Sequence, residues 1–282
     1  MTTFGLQTPP FHPYDQLVAD WQRFEAQGWD SLWVPDHLVP TFRRELPLLE
    51  AWTLIAALAA LTTRVRFGVL VSCNTFRHPS LLAKQAVTLD HISHGRLELG
   101  IGTGWVEFEH TMFGIPYPND AERVSRFGEA IAVIDTLLRQ DVSTFQGASY
   151  RLDEAVFRPA PIQQPRPPMT LAAHGPRMLR IIAPYVDRWN SMGYPDEMAE
   201  RGKRLDEALL RAGRAPEDVI KSVLYVPSIT PDEQPWDSVE AFRDFVGRYQ
   251  DAGMTEVILQ PPFEDTTGIV EQVATEVLPE FR

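Results

Sequence analysis

Residues 64–101 read RVRFGVLVSCNTFRHPSLLAKQAVTLDHISHGRLELGI. Val65, Phe67, Val69 and Val71 fall on alternate positions, the period of an extended strand. Pro79 suits the first turn of a helix, and the run from Pro79 to about Ser93 is long enough for one. Gly95 then separates it from Leu97-Glu98-Leu99-Gly100-Ile101, a second strand. A strand, a crossover helix and a strand is the unit of a parallel sheet, because parallel neighbours cannot be joined by a tight turn.

The same unit recurs on both sides. Phe4 to Thr8 is a strand, ended by Pro9-Pro10, and Tyr14 to Gln27 a helix with Leu17, Trp21 and Phe24 on one face. Asp30 to Val34 is a strand closed by Pro35, and Leu48 to Leu61 an alanine-rich helix. Beyond residue 101 come a helix from Glu122 to Arg139, a strand at Met169–Ala173 and a helix start at Pro176. Strands at Val186–Met192, Val219–Val226 and Thr255–Gln260 alternate with helices at Glu197–Ala212, Trp236–Ala252 and Ile269–Leu278. Eight strand–helix units favour an α/β fold that closes as a single (β/α)8 TIM barrel over an open doubly wound sheet. Two insertions interrupt the repeat. One is a long loop after strand four, about 105–121, of a length often tied to function. The other, about 144–168, is a hairpin followed by a proline-rich crossing. The expectation is one domain over 1–282.

Composition narrows the function. The chain has 282 residues, 44% of them hydrophobic and 23% charged, which suits a packed globular domain. A net charge of −12 is a poor match for nucleic acid. Cys73 is the single cysteine, so no intramolecular disulfide framework exists and a cysteine-based metal site is disfavoured. The start lacks the basic-then-apolar pattern of a signal peptide, and no apolar run approaches a membrane span, so a cytoplasmic location is expected.

In such a barrel the chemistry sits at the carboxyl ends of the strands. Those ends carry Asp36-His37, Ser72-Cys73-Asn74, Thr103-Gly104-Trp105 and His174-Gly175-Pro176. His37 is the candidate for proton exchange with a substrate. Cys73 reads better as a small buried group or a ring contact than as a nucleophile. His174-Gly175-Pro176 precedes a helix, whose free N–H groups suit a phosphate. Neither a Gly-x-x-x-x-Gly-Lys-Ser/Thr loop nor Gly-x-Gly-x-x-Gly is present. His91 and His94 lack a carboxylate constellation that would make them a metal pair. In Trp105-Val106-Glu107-Phe108-Glu109-His110 acids stand beside a histidine, but spacing does not select one of them.

Several stretches together resemble the bacterial luciferase-like superfamily of FMN- and F420-dependent oxidoreductases, especially its short members labelled F420-dependent. They are Asn74 to Pro79, Leu82 to Asp90, Ser93 to Leu97, Leu99 to Trp105, Phe113 to Pro116, and Leu171 to Asn190. The resemblance covers almost the whole chain. It implies a cofactor across the barrel mouth, F420 in preference to FMN, and a homodimer. Carried over by position, it places Asp36, Ser72, Cys73, Asn74, Thr103, Gly104, His174, Gly175 and Pro176 at the cofactor, the Ser72–Asn74 stretch forming a bulge behind its ring. His37 is expected to face substrate. F420-dependent sugar-phosphate dehydrogenases carry a glutamate directly after Thr-Gly; here Trp105 stands there, which argues for an apolar substrate. The expected activity is F420-linked hydride transfer with a small organic substrate, with no metal. The alternatives are an FMN-dependent monooxygenase using reduced FMN, oxygen and a partner flavin reductase, and a non-catalytic flavin-binding barrel.

Overall fold

The computed structural model describes residues 2–281. In chain order the elements are β1 (Thr3–Gln7), α1 (Tyr14–Ala26), β2 (Ser31–Val34), α2 (Ala51–Ala60), β3 (Arg66–Val69), β4 (Ser72–Cys73), α3 (Pro79–Ile92) and β5 (Leu97–Gly102). There follow α4 (Glu107–Phe113), α5 (Asp120–Arg139), β6 (Val142–Gln146), β7 (Arg151–Val156), β8 (Met169–Ala172) and α6 (Pro176–Ile182). The chain continues with β9 (Arg188–Ser191), α7 (Pro195–Arg211), β10 (Ile220–Tyr225), α8 (Val239–Asp251), β11 (Glu256–Leu259) and α9 (Ile269–Glu276).

The strands pair in parallel in the order β1, β2, β3, β5, β8, β9, β10, β11, and β11 pairs again with β1. That closure makes the (β/α)8 barrel, with β4 as the continuation of β3. The inserted hairpin is β6–β7, antiparallel and separate from the barrel sheet. The long segment after β5 is not wholly irregular: α4 forms inside it, ended by Gly114 in the left-handed region.

Strand three holds the main local irregularity. Phe67 pairs with Leu97, but Ser72 pairs with Ile101, so strand three carries one residue more than its neighbour. The extra residue is absorbed between Val69 and Ser72, where the Leu70–Val71 peptide is cis. The bulge therefore falls ahead of Ser72, not across Ser72–Asn74. Glycines on β5 make room for it. A Cβ on Gly100 would lie 1.9 Å from the Val69 carbonyl oxygen, and one on Gly102 2.5 Å from Val71 Cγ2.

Two apolar bodies result. The larger packs the helices on the outer barrel face, with Trp21, Phe67, Phe127, Trp189 and Phe245 among its fully buried side chains. The smaller fills the upper barrel interior with Trp33, Leu70, Leu224, Val226 and Ile258. Below it lies a buried ion cluster: Arg188 pairs with Glu98 and, at 2.8 Å, with Glu256, and Arg66 pairs with Glu98. Burial pushes Glu256 above the usual carboxylate range despite its arginine. These charges sit at the amino ends of β5, β9 and β11, away from the mouth. Among the described residues no helix is long and apolar enough to cross a membrane.

Candidate active site

A cavity of about 1400 Å³ opens at the carboxyl ends of the barrel strands. Its floor includes Leu70, Val71, Leu224 and Val226 from the inner apolar body. Gln7, at the end of β1, is buried there and donates to the Leu70 carbonyl at 2.8 Å, while its own carbonyl accepts from Gln260 at 2.8 Å. The side-chain amides thus fix the bulged backbone from the barrel interior.

Of the residues expected at the cofactor, Asp36, Cys73, Thr103, Gly104 and His174 line this cavity, as do His37 and Trp105. Ser72, Asn74, Gly175 and Pro176 are not among the lining residues. Ser72 is fully buried and accepts from Trp52 Nε1 of α2 at 3.1 Å. Asn74 is buried too; its backbone N–H binds the Gly102 carbonyl and its side chain the Tyr150 hydroxyl. The one-residue bulge is the cause, since a shift by one turns each following side chain to the other face. Leu70 and Val71 stand at the cavity in their place.

Asp36 ties two strand ends together. Its carboxylate accepts from the Cys73 backbone N–H at 2.7 Å and from both Arg77 amino groups. Arg77 in turn reaches Glu50, the side-chain cap of α2, at 3.2 Å. Asp36 is spent on this work and is not a free base. Burial pushes the Cys73 thiol up to about 11, which leaves it protonated at neutral pH. A Cβ on Gly104 would lie 2.6 Å from Cys73 Sγ, and its φ of +80° suits glycine. Gly104 thus lets the chain just past β5 approach β4 closely.

His37 meets Glu109. The His37 Nδ1 lies 3.0 and 3.1 Å from the two carboxylate oxygens of Glu109, a residue of α4 that is 1% exposed. A carboxylate only accepts, so the proton of the pair sits on Nδ1. In the neutral ring Nε2 then accepts, and the Thr41 hydroxyl meets it in a long contact of 3.5 Å. The Trp105 indole stands edge-on to the imidazole at 6.1 Å and is 57% exposed. Glu109 was visible in the sequence only as one of two acids. The first turn of α4 selects it, turning Glu109 to His37.

At the ends of β8 and β9 lies a polar cluster, where Arg201 also pairs with Glu197 at 3.7 Å. His174 Nδ1 is 3.1 Å from Ser191 Oγ, and Arg201 of α7 donates to the same hydroxyl at 3.3 Å and to the Met192 carbonyl. Burial and the Arg201 charge hold His174 below the usual imidazole value. Arg201 carried no sequence signal. Arg177 turns away, to Ser125 Oγ at 2.9 Å. Gly175 caps α6 without a side chain, and a Cβ there would meet nothing. The opposite end of the mouth is aromatic, with Phe11, Phe42 and Phe263. Among the described residues no group of three His, Cys, Asp or Glu side chains is arranged to hold a metal ion.

Comparison with known proteins agrees with this architecture. The family profile described as luciferase-like monooxygenase matches residues 2–272. An uncharacterised protein of Mycobacterium tuberculosis is 32% identical, over 83% of this chain and 81% of its own length. The F420-dependent glucose-6-phosphate dehydrogenase of Microbacterium testaceum is 32% identical over 74% of this chain and 62% of that protein. Among solved structures, an F420-dependent secondary alcohol dehydrogenase in complex with an F420–acetone adduct superposes over 100% of this chain and 99% of its own, with a TM-score of 0.88 at 20% identity. The chain belongs to the luciferase-like monooxygenase family and is an oxidoreductase of its flavin- and deazaflavin-dependent kind.

Proposed function

We propose that the protein exchanges hydride between F420 and an uncharged organic substrate with an apolar body, an alcohol in one direction and the matching carbonyl compound in the other. The observation that carries this reading is the His37–Glu109 pair, with its Nδ1 held by the carboxylate and the His37 ring in the cavity lining beside Trp105. The resemblance to F420-dependent relatives supports the choice of cofactor.

The residues present fit such a group. The cavity exceeds the 300–1,000 Å³ typical of small-molecule pockets. Its apolar floor suits a flat ring system, and the His174–Ser191–Arg201 end suits a phosphate. Bound there, F420 would supply a two-electron hydride acceptor or donor. Leu70 and Val71 would back its ring. In alcohol oxidation His37 Nε2 takes the hydroxyl proton as the carbon–hydrogen bond is lost as hydride, and Glu109 holds the resulting imidazolium. In reduction the same nitrogen returns the proton.

Charge around the cavity supports an uncharged substrate. Arg23 is already paired with Asp20 at 2.8 Å, and Arg43 lies over the Phe263 ring at 4.5 Å. Asp237, Glu264 and Asp265 stand on the same side of the lining. A phosphate on the substrate would meet these acids, with Arg23 and Arg43 the lining cations and Arg23 already paired.

The test is a paired titration of the purified chain with F420 and FMN, followed by absorbance and fluorescence. Saturable binding of F420 and not FMN is expected. Preference for FMN would replace this reading with reduced-FMN monooxygenation, the activity in the family's description, to be assayed with a flavin reductase and oxygen. The dyad has its own test: Glu109→Gln should lower F420-linked kcat without weakening F420 binding.

A further inference from the structure

We infer that Thr75 and His110 form a positioning pair that holds α4 on the end of strand three and thereby sets Glu109 against His37; the inference rests on the dyad reading above. Helix α4 has seven residues and no side-chain cap at its amino end. A helix that short does not hold itself together in water. Three consecutive side chains of α4 grip three different places. Phe108 lies under the Arg44 guanidinium at 4.0 Å, Glu109 binds His37, and His110 binds Thr75.

The hydrogen bonds of His110 define their own direction. Its Nδ1 lies 2.8 Å from the Val106 carbonyl oxygen, which only accepts, so Nδ1 carries the hydrogen. In the neutral ring Nε2 then accepts, and it takes the Thr75 hydroxyl proton across 2.6 Å. The Thr75 oxygen is left to accept from the Cys73 thiol at 3.0 Å. Every donor has an acceptor, and the chain ends at Cys73, whose backbone N–H is held by Asp36. The His110 ring is 1% exposed, packed between Phe76 at 4.9 Å and Tyr117 at 4.7 Å. The Tyr117 hydroxyl donates to the Trp105 carbonyl at 3.1 Å, so the same cluster fixes the backbone under the indole.

Thr75 touches neither His37 nor Glu109, yet it sets their distance. A displacement of α4 by about 1 Å would carry the 3.0 Å contact beyond hydrogen-bond range. Thr75 is thus a positioning residue, with Glu109 the group through which it acts.

The test uses the full chain, free and saturated with F420, in the variants Thr75→Val, Thr75→Ser and Glu109→Gln. Two signals are read: amide hydrogen exchange of residues 107–113, and the 15N resonance of His37 Nδ1. Thr75→Val should speed exchange in α4 at least tenfold, leave the barrel strands unchanged, and move the His37 signal to where Glu109→Gln puts it. Thr75→Ser, which keeps the hydroxyl, should restore both. Wild-type exchange and an unmoved His37 signal in Thr75→Val would overturn the inference, as would failure of serine to rescue. If Thr75→Val does not fold, His110→Gln reads the same two signals, and wild-type behaviour there overturns it equally. Neither signal needs turnover. A chain whose Glu109→Gln variant keeps full F420-linked activity loses the dyad reading, whatever the exchange data say.

Discussion

Gly100 and Val69 are packed so closely that a single added carbon would collide: a Cβ on Gly100 would stand 1.9 Å from the Val69 carbonyl oxygen. The obstacle is backbone, so no rotamer change relieves it. Gly102 faces a softer neighbour, the Val71 side chain at 2.5 Å. Gly100→Ala should therefore cost more than Gly102→Ala, about 3 kcal/mol or above against about 1–2 kcal/mol, at and beyond the usual cost of overpacking. Urea unfolding of both variants checks the order. Equal losses would mean that the bulge in strand three is free to move.

The ion cluster beneath the barrel predicts a larger effect. Arg188→Met leaves Glu98 and Glu256 buried with only Arg66, on the Glu98 side, to pair them. Removing one partner of a buried pair costs about 3–5 kcal/mol, because the other charge stays desolvated. The variant should unfold at clearly lower denaturant. A midpoint within error of wild type would show that water already reaches this layer.

Most of the barrel was legible because each strand–helix unit carries its own period and its own stop signal. Pro79 opens α3, and Pro35 follows β2 as it leaves the barrel. The site was legible only in part, and the reason is geometric. Regular alternation from Leu70 would turn Ser72 and Asn74 inward. The extra residue before Ser72 turns Cys73 to the cavity instead, and a one-residue insertion leaves no mark in composition. Glu109 was hidden for a related reason. Two acids two residues apart cannot be ranked until the segment is known to be helical, and Glu107 and Glu109 lie in a stretch that reads as loop. Arg201 reaches Ser191, the partner of His174, from a helix whose other arginines are exposed, so only tertiary placement separates it from them.

Cys73 lines the cavity, but its thiol is held near 11 by burial and its hydrogen is committed to Thr75. At pH 8 the thiolate fraction is then on the order of 10⁻³, so labelling by an aromatic disulfide reagent should be about 10²-fold slower than for a free cysteine. Cys73→Ala should retain F420 binding. Fast labelling at pH 8 would contradict the environment described for this thiol.

His174 predicts a pH dependence of stability with a definite sign. Its imidazole is held below the ordinary value by burial and by Arg201. The unfolded chain therefore takes up the proton first as pH falls. The stability it contributes is complete above its ordinary value, about 6.5, and is lost as pH drops from there through the lowered folded value. Denaturant midpoints of wild type and His174→Gln should run parallel above pH 7 and converge or cross below pH 6. Parallel curves down to pH 5 would show that His174 is solvated in the folded protein.

Trp105 is the residue on which an apolar substrate depends most. Its indole is more than half exposed at a cavity mouth, next to the histidine assigned to proton exchange. Covering roughly 100 Å² of that ring with an apolar substrate would contribute about 2.5 kcal/mol at the usual 25 cal/mol/Å², an upper figure because part of the ring stays wet. Trp105→Ala should then raise KM for an apolar alcohol about tenfold or more. The affinity for F420 should change little, since the end proposed for its phosphate lies at His174, Ser191 and Arg201. A small polar alcohol of the same reacting group should show little change in KM, which separates lost contact area from damage to the dyad. If KM for the apolar and the polar alcohol rises equally, the indole is holding His37 rather than substrate. If neither moves, the substrate binds on the Phe42–Phe263 side of the mouth and Trp105 takes no part in its selection.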